Sequence, residues 1–255
     1  MKKLILVLGL VVAALSHASA QEFKLAKNSG KLAIYIGHVT VEGTTGNEIV
    51  FTSNNSPNRD EDDRAKGLRA VSGSGLEDNT GLGINVADKG NIVEVRQLKK
   101  MNSPHIKILI PKGVTVYYEY ESQYGRVAKF KNIESEIEVS ANYNSVELEN
   151  ITGPIVAKSV YGHVAADFNN NVKGPISIIS VYGYVDVTLP LAIKADLKMT
   201  TSHGELYAAS EFKIDYEKTS EGLVREDNRV NGKINGGGVK VDLNSDFGKV
   251  YLRKK

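Results

Sequence analysis

Ser159-Val-Tyr161-Gly162-His-Val164 and Ser180-Val-Tyr182-Gly183-Tyr-Val185 are two copies of one phrase, and their spacing decides the fold. The phrase is a small residue, any residue, an aromatic, glycine, any residue and an aliphatic. It also stands at Ser122-Gln-Tyr124-Gly125-Arg-Val127. Looser copies are Ala141-Asn-Tyr143-Asn144-Ser-Val146, Thr201-Ser-His203-Gly204-Glu-Leu206 and Ser245-Asp-Phe247-Gly248-Lys-Val250. From Tyr124 the rings step by 19, 18, 21 and 21 residues to His203, then by 44 to Phe247, which is two coils or one coil with an insertion. Asn144 replaces glycine in one copy. Asparagine shares some of glycine's access to positive φ, so the position reads as a corner of the chain.

A second phrase lies between the first: Asn132-Ile133 to Val139, Asn150-Ile151 to Ala157, and Val172 to Ile178. Each repeat therefore carries two short strands and two corners. Period-two alternation puts Ile137 and Val139, Ile155 and Ala157, Ile176 and Ile178 on one inward row. It puts Val146 and Leu148, Val164 and Ala166, Val185 and Val187 on another, with Glu147, Ala165 and Asp186 facing out. A coil of about 20 residues cannot bury such rows alone and must lay them on its neighbours. The predicted fold is all-β: a single-stack right-handed β-solenoid with short parallel strands. An antiparallel meander is the rival, but it has no reason to keep an aromatic-glycine corner at this interval. Tyr124, Tyr143, Tyr161, Tyr182, His203 and Phe247 are then a structural ladder along one corner.

Residues 21–121 are less regular. Leu32–Ile36, His38–Val41, Ile49–Thr52, Ile92–Val95, Ile106–Ile110 and Val114–Tyr118 read as strands. Residues 54–83 read as a long loop, or as an insertion with a short helix near 60–70. This part is expected to be an irregular cap over the open end of coils 122–255, in one continuous domain 21–255. The first twenty residues read as a signal peptide: Lys2 and Lys3, an apolar run from Leu4 to Leu15, then Ala18-Ser19-Ala20. The run is too short to span a bilayer, and no later stretch is apolar enough to do so. The chain has no cysteine, which excludes disulfides, thiol chemistry and a lipoprotein anchor. Without Lys2 and Lys3 the charge balances, with 30 basic and 30 acidic side chains, which argues against a nucleic-acid partner.

Few constellations suggest chemistry. Asp60–Asp63 lack the spacing of a calcium loop. His38, His105, His163 and His203 form no ligand pair in sequence, so neither a metal nor a cofactor is expected. Glu147, Asp167 and Asp186 face outward on successive coils, where a polysaccharide-cleaving helix would carry its acids. They read as ordinary solvent-facing carboxylates. Outward tyrosines can bind sugar or protein, so Tyr118, Tyr184 and Asp186 mark a candidate ligand surface.

The Ile106-Lys-Ile-Leu-Ile-Pro-Lys-Gly-Val114 phrase, followed by tandem Ser-x-Tyr-Gly-x-Val coils, resembles the bacterial adhesin-like β-solenoid repeat family of unknown function. The resemblance covers roughly residues 30 to 255. That family's usual coil reads Ser-Ser-Gly-Asp-Ile or Val; here tyrosine precedes the glycine, and basic or aromatic residues often follow it. The resemblance implies an exported, non-enzymatic adhesin-like or structural interaction module of the cell envelope, periplasmic or at the surface. Its partner would be an envelope protein or a glycan. The alternative is a β-helix that binds or acts on envelope polysaccharide.

Overall fold

A computed structural model describes residues 21–53, 64, 68, 72–101, 103–217 and 228–255. The expected leader 1–20, the acidic run Asp60–Asp63 and the helix expected near 60–70 (Arg64 and Leu68 apart) lie outside them. In chain order the described strands are β1 (Glu22–Leu25), β2 (Ser29–Tyr35), β3 (Val39–Thr44), β4 (Ile49–Ser53), β5 (Ile84–Asp88), β6 (Ile92–Gln97) and β7 (Ile106–Pro111). Next come β8 (Gly113–Tyr120), β9 (Ala128–Lys131), β10 (Ile137–Ala141), β11 (Val146–Ile151), β12 (Ile155–Ser159), β13 (Val164–Phe168) and β14 (Ile176–Ser180). The last are β15 (Val185–Leu189), β16 (Ala195–Thr201), β17 (Leu206–Ala208), β18 (Ile214–Tyr216), β19 (Asn228–Ile234), β20 (Val239–Ser245) and β21 (Val250–Lys254).

These strands build one ten-stranded and one eleven-stranded sheet. Successive repeats pair in parallel: Ile137 lies against Ile155 and Ile155 against Ile176, while Val146 lies against Val164 and Val164 against Val185. Parallel pairing excludes the meander. It also aligns like with like. Val93, Leu32, Val116, Ile137, Ile155, Ile176, Val241 and Leu197 form one buried row across eight strands. Each such aliphatic contributes about 1.5–3 kcal/mol by leaving water.

The stack does not follow chain order at its ends. Along it the strand pairs run β6/β7, β2/β3, β8/β9, β10/β11, β12/β13, β14/β15, β20/β21, β16/β17. The 44-residue step to Phe247 is thus explained: the chain lays down β16 and β17 one place too far, turns back through β18 and β19, and fills the gap with β20 and β21. The other end repeats the device, because β2/β3 sits between β6/β7 and β8/β9. Among the described strands of residues 21–121, β1, β4 and β5 pair only antiparallel; β2, β3 and β6 to β8 join the parallel coils, with β6 and β7 also carrying β5 and β4 antiparallel on their outer edges. At the far end β19 pairs antiparallel with β16 and β18 with β19.

One site expectation is overturned. Tyr118 does not face outward; it is fully buried, with its ring edge-on to Phe130 at 5.7 Å. Alternation along β8 buries Val114, Val116, Tyr118 and Tyr120 and leaves Thr115, Tyr117 and Glu119 outside. Tyr118 pairs with Ile34 and Val139, in the second apolar row. Burial pushes its hydroxyl pKa up, with the neighbouring Tyr120 adding to the effect. Tyr117 has the outward place and donates a hydrogen bond to Glu119 at 2.8 Å.

Candidate functional site

The corner between the two sheets is built on a buried hydroxyl row. Ser180 Oγ donates to the Gly162 carbonyl at 2.9 Å and accepts from the Gly183 amide at 3.0 Å. Ser159 links Asn144 O and Gly162 N in the same way, at 2.8 and 3.0 Å. Ser245 links Gly183 O and Gly248 N, and Thr201 links Gly248 O and Gly204 N. Each hydroxyl thus satisfies a carbonyl one coil away and an amide of its own coil. These atoms are buried, so an unpaired one would be penalised.

The corner glycines have a different reason from the one the Asn144 exchange suggests. Positive φ occurs at Asn132 and Asn150, at the opposite corner, and not at Gly162, Gly183, Gly204, Gly248 or Asn144. The constraint is room. A Cβ on Gly183 would lie 2.3 Å from Gly162 O, and one on Gly248 would lie 2.1 Å from Gly183 O. Asn144 is tolerated because its own neighbour is Gly125, whose missing side chain leaves space for the Asn144 amide. That amide donates to Gly37 O at 3.0 Å and to Arg126 O.

Outside these glycines the rings pile up. Tyr143 stacks on Tyr161 at 4.9 Å, Tyr161 on Tyr182 at 5.1 Å, Tyr182 on Phe247 at 5.0 Å, and Phe247 on His203 at 4.8 Å. Phe247 precedes His203 in space because of the exchanged coils. The four rings from Tyr143 to Phe247 are each 49–55% exposed, so the row stands out into solvent by its edges while its faces cover one another. Tyr124 is not among the stacked rings. Seven residues join Tyr120 to Ala128, where four join Ala141 to Val146 in the next coil. The backbone ladder ends with this corner: Tyr161 N donates to Asn142 O and Tyr182 N to Val160 O, whereas only Asn142 N reaches back, to Tyr120 O.

A second aromatic stripe runs beside the first on the ten-stranded sheet. His163 stacks on Tyr184 at 4.5 Å, Tyr184 meets Tyr251 edge-on at 6.3 Å, and Tyr251 stacks on Tyr207 at 5.4 Å. Tyr184 and Tyr207 are exposed. Burial raises the Tyr184 pKa, with Asp186 adding to it. The outward acids of this face are held by cations. Arg253 donates to both oxygens of Asp186 at 2.7 and 2.9 Å; Lys129 pairs with Glu147 and Lys255 with Asp167.

Sequence reading missed a histidine pair. His38 and His105 precede the paired strands β3 and β7, and their rings stack at 4.1 Å. Burial holds the His38 pKa down to about 4, reinforced by charge on His105, Arg126 and Lys129. His105 is lowered by burial and then by Lys129. Knowing that Val39 pairs with Ile106 would have found the contact. Among the described residues no group of three or more histidines, cysteines or acids could hold a metal, and no helix is long and apolar enough to cross a membrane.

Two sheets of short parallel strands, sharing corners of glycine, hydroxyl and stacked ring, define a repeat-built β-stack. The chain belongs to the Toastrack DUF4097 family, whose sequence profile matches residues 13–253. Membership falls where the resemblance to adhesin-like repeat proteins points. A candidate cell-adhesion protein from Clostridium sporogenes is similar over 92% of this chain and 100% of its own, at 13% identity and a TM-score of 0.44. A candidate adhesin from Bacteroides fragilis is similar over 92% and 96%, at 11% identity and a TM-score of 0.37. No curated protein matches the chain.

Proposed function

We propose that this protein is an exported, non-enzymatic adhesin-like interaction module of the cell envelope. It is delivered by the leader 1–20, and its contact surface is the aromatic corner with the stripe beside it. One observation carries the reading: an unbroken run of exposed rings from Tyr143 to His203, widened by Tyr184 and Tyr207. Contiguous exposed apolar surface of this kind marks interaction sites. In this reading the stack is a right-handed solenoid of about twenty residues per coil, which registers advancing by 18 and 21 residues support. The rings hold coils in register and present hydroxyls and ring edges to a partner.

A polysaccharide-cleaving role is disfavoured by the ion pairs. A glycosidase needs one acid held protonated in a dry pocket, and Glu147, Asp167 and Asp186 each sit beside a lysine or arginine. The test is retention of the purified protein on isolated envelope fractions. The double change Tyr161→Ser and Tyr182→Ser is expected to abolish retention while leaving the far-ultraviolet circular dichroism unchanged. Undiminished retention removes the aromatic surface from the reading. Robust turnover in a broad screen of glycosidase and esterase substrates removes its non-enzymatic part.

A further inference from the structure

The row of rings has a free face at Tyr143. Its other face lies on Tyr161, and every ring from Tyr161 to Phe247 is covered on both sides. Against that free face the corner of the preceding coil carries three residues more than the regular corners do. The result is a cleft of about 540 Å³ lined by Lys100, Tyr120, Glu121, Ser122, Gln123, Tyr124 and Tyr143. That volume is within the range of small-ligand sites.

We infer that this cleft is a binding subsite for one neutral hexopyranose unit of an envelope glycan. The assignment deepens the proposed function and rests on it. A pyranose ring has an apolar face of C–H bonds and a rim of hydroxyls. It needs a free aromatic face with polar groups around it. Only an uncovered ring can offer such a face, so the body of the stack is excluded; of the two ends, Tyr143 and His203, the cleft lies at Tyr143. Tyr143 supplies the platform and Tyr124, exposed and unstacked, the second wall. Ser122, Gln123, Glu121 and Lys100 offer hydroxyl, amide, carboxylate and ammonium groups at the rim. Lys100 and Glu121 are opposite in charge and solvent-facing, and neither enters an ion pair among the described residues. They cancel as a pair, which favours a neutral sugar over a polyanionic one. An aromatic side chain of a protein would need a drier slot than these polar walls provide.

The experiment uses the purified protein on an array of neutral, acidic and amino-sugar oligosaccharides, followed by titration calorimetry with the best neutral binder. Tyr124→Ala and Lys100→Ala are each expected to weaken binding at least tenfold. Val156→Ala, at an exposed position on β12 of the eleven-stranded sheet and away from the aromatic corner, should change it less than twofold. Thermal melts of the variants control for folding, and Gln123→Ala is a milder second probe of the rim. Absence of neutral-oligosaccharide binding overturns the assignment, as does binding that Tyr124→Ala and Lys100→Ala both leave undiminished. Binding of a tryptophan-containing peptide at Tyr124 without sugar binding also overturns it. Retention on envelope fractions separates the two levels: if it persists without sugar binding, the subsite fails alone, and if both vanish, so does the interaction reading.

Discussion

Ser180 reaches two backbone groups on different coils, the carbonyl of Gly162 and the amide of Gly183. Ser180→Ala keeps the volume and strands both groups in the interior. An orphaned buried group costs about 1–3 kcal/mol, so urea unfolding should show a loss of about 2 kcal/mol or more. Tyr118 is the converse. Its hydroxyl is buried and makes no hydrogen bond among the described residues. Tyr118→Phe removes that unpaired group and keeps the ring contact with Phe130. It should leave stability unchanged or raise it by about 1 kcal/mol, and a loss of that size would reveal a missing partner. His38 makes the fold sensitive to acid. Its pKa in the fold is about 4, below the usual 6.5, so the unfolded chain takes up the proton first as pH falls. Its contribution is intact above about pH 7 and is lost between 6.5 and 4. His38→Phe keeps a ring against His105 and should flatten the stability profile over that window; an unchanged slope would move the acid sensitivity elsewhere.

Among elements, the corner row can be ranked by how many ring faces each member covers. Tyr161 has a stacked neighbour on both sides and Tyr143 on one. At about 0.5–1.5 kcal/mol per aromatic pair, Tyr161→Ala should lower stability about twice as much as Tyr143→Ala, read as shifts in thermal midpoint. Equal shifts would mean the faces contribute little beyond area. The strands flanking this corner were legible because period-two alternation and the repeat agree on the same residues: Ile137, Ile155 and Ile176 fall on one row by either rule. Tyr118 was misplaced because tyrosine was read by its chemistry and not by its phase. Counting in twos from Val114 and Val116 buries it. The Ser122–Val127 copy misled for another reason. It matches the phrase, yet strand pairing aligns Ala128 with Val146, so its serine lies off the buried hydroxyl row. The phrase does not reveal corner length. The serines themselves looked merely small, since their role depends on a carbonyl one coil away.

For the whole molecule, spacing predicts a stack but not the order in which coils enter it, because β14, β16 and β20 present nearly interchangeable apolar rows. Ile176 and Ile178 could accept Leu197 and Met199 as readily as Val241 and Leu243. The exchange has a physical use. Parallel stacks end on strand edges that template aggregation. Sending the chain one place outward lets β18 and β19 turn back antiparallel over β16 before β20 fills the gap, and β4 and β5 cover β7 and β6 at the other end. The coils β2/β3 and β20/β21 are thereby locked inside the stack, where neighbours on both sides depend on them, while β1 lies at the edge of its sheet. A chain shortened to end at Gly238 tests this directly. Were the coils stacked in chain order, the cut would remove a terminal coil and leave the rest protected. In the exchanged order it removes the coil on which β16 and β17 rest, so both strands lose their parallel partner. Limited proteolysis read by mass spectrometry should then show early cleavage within 195–208, with 128–189 remaining resistant. Protection throughout 195–208 would mean that β16 closes directly onto β14, and that β20 and β21 are an insertion the stack can do without.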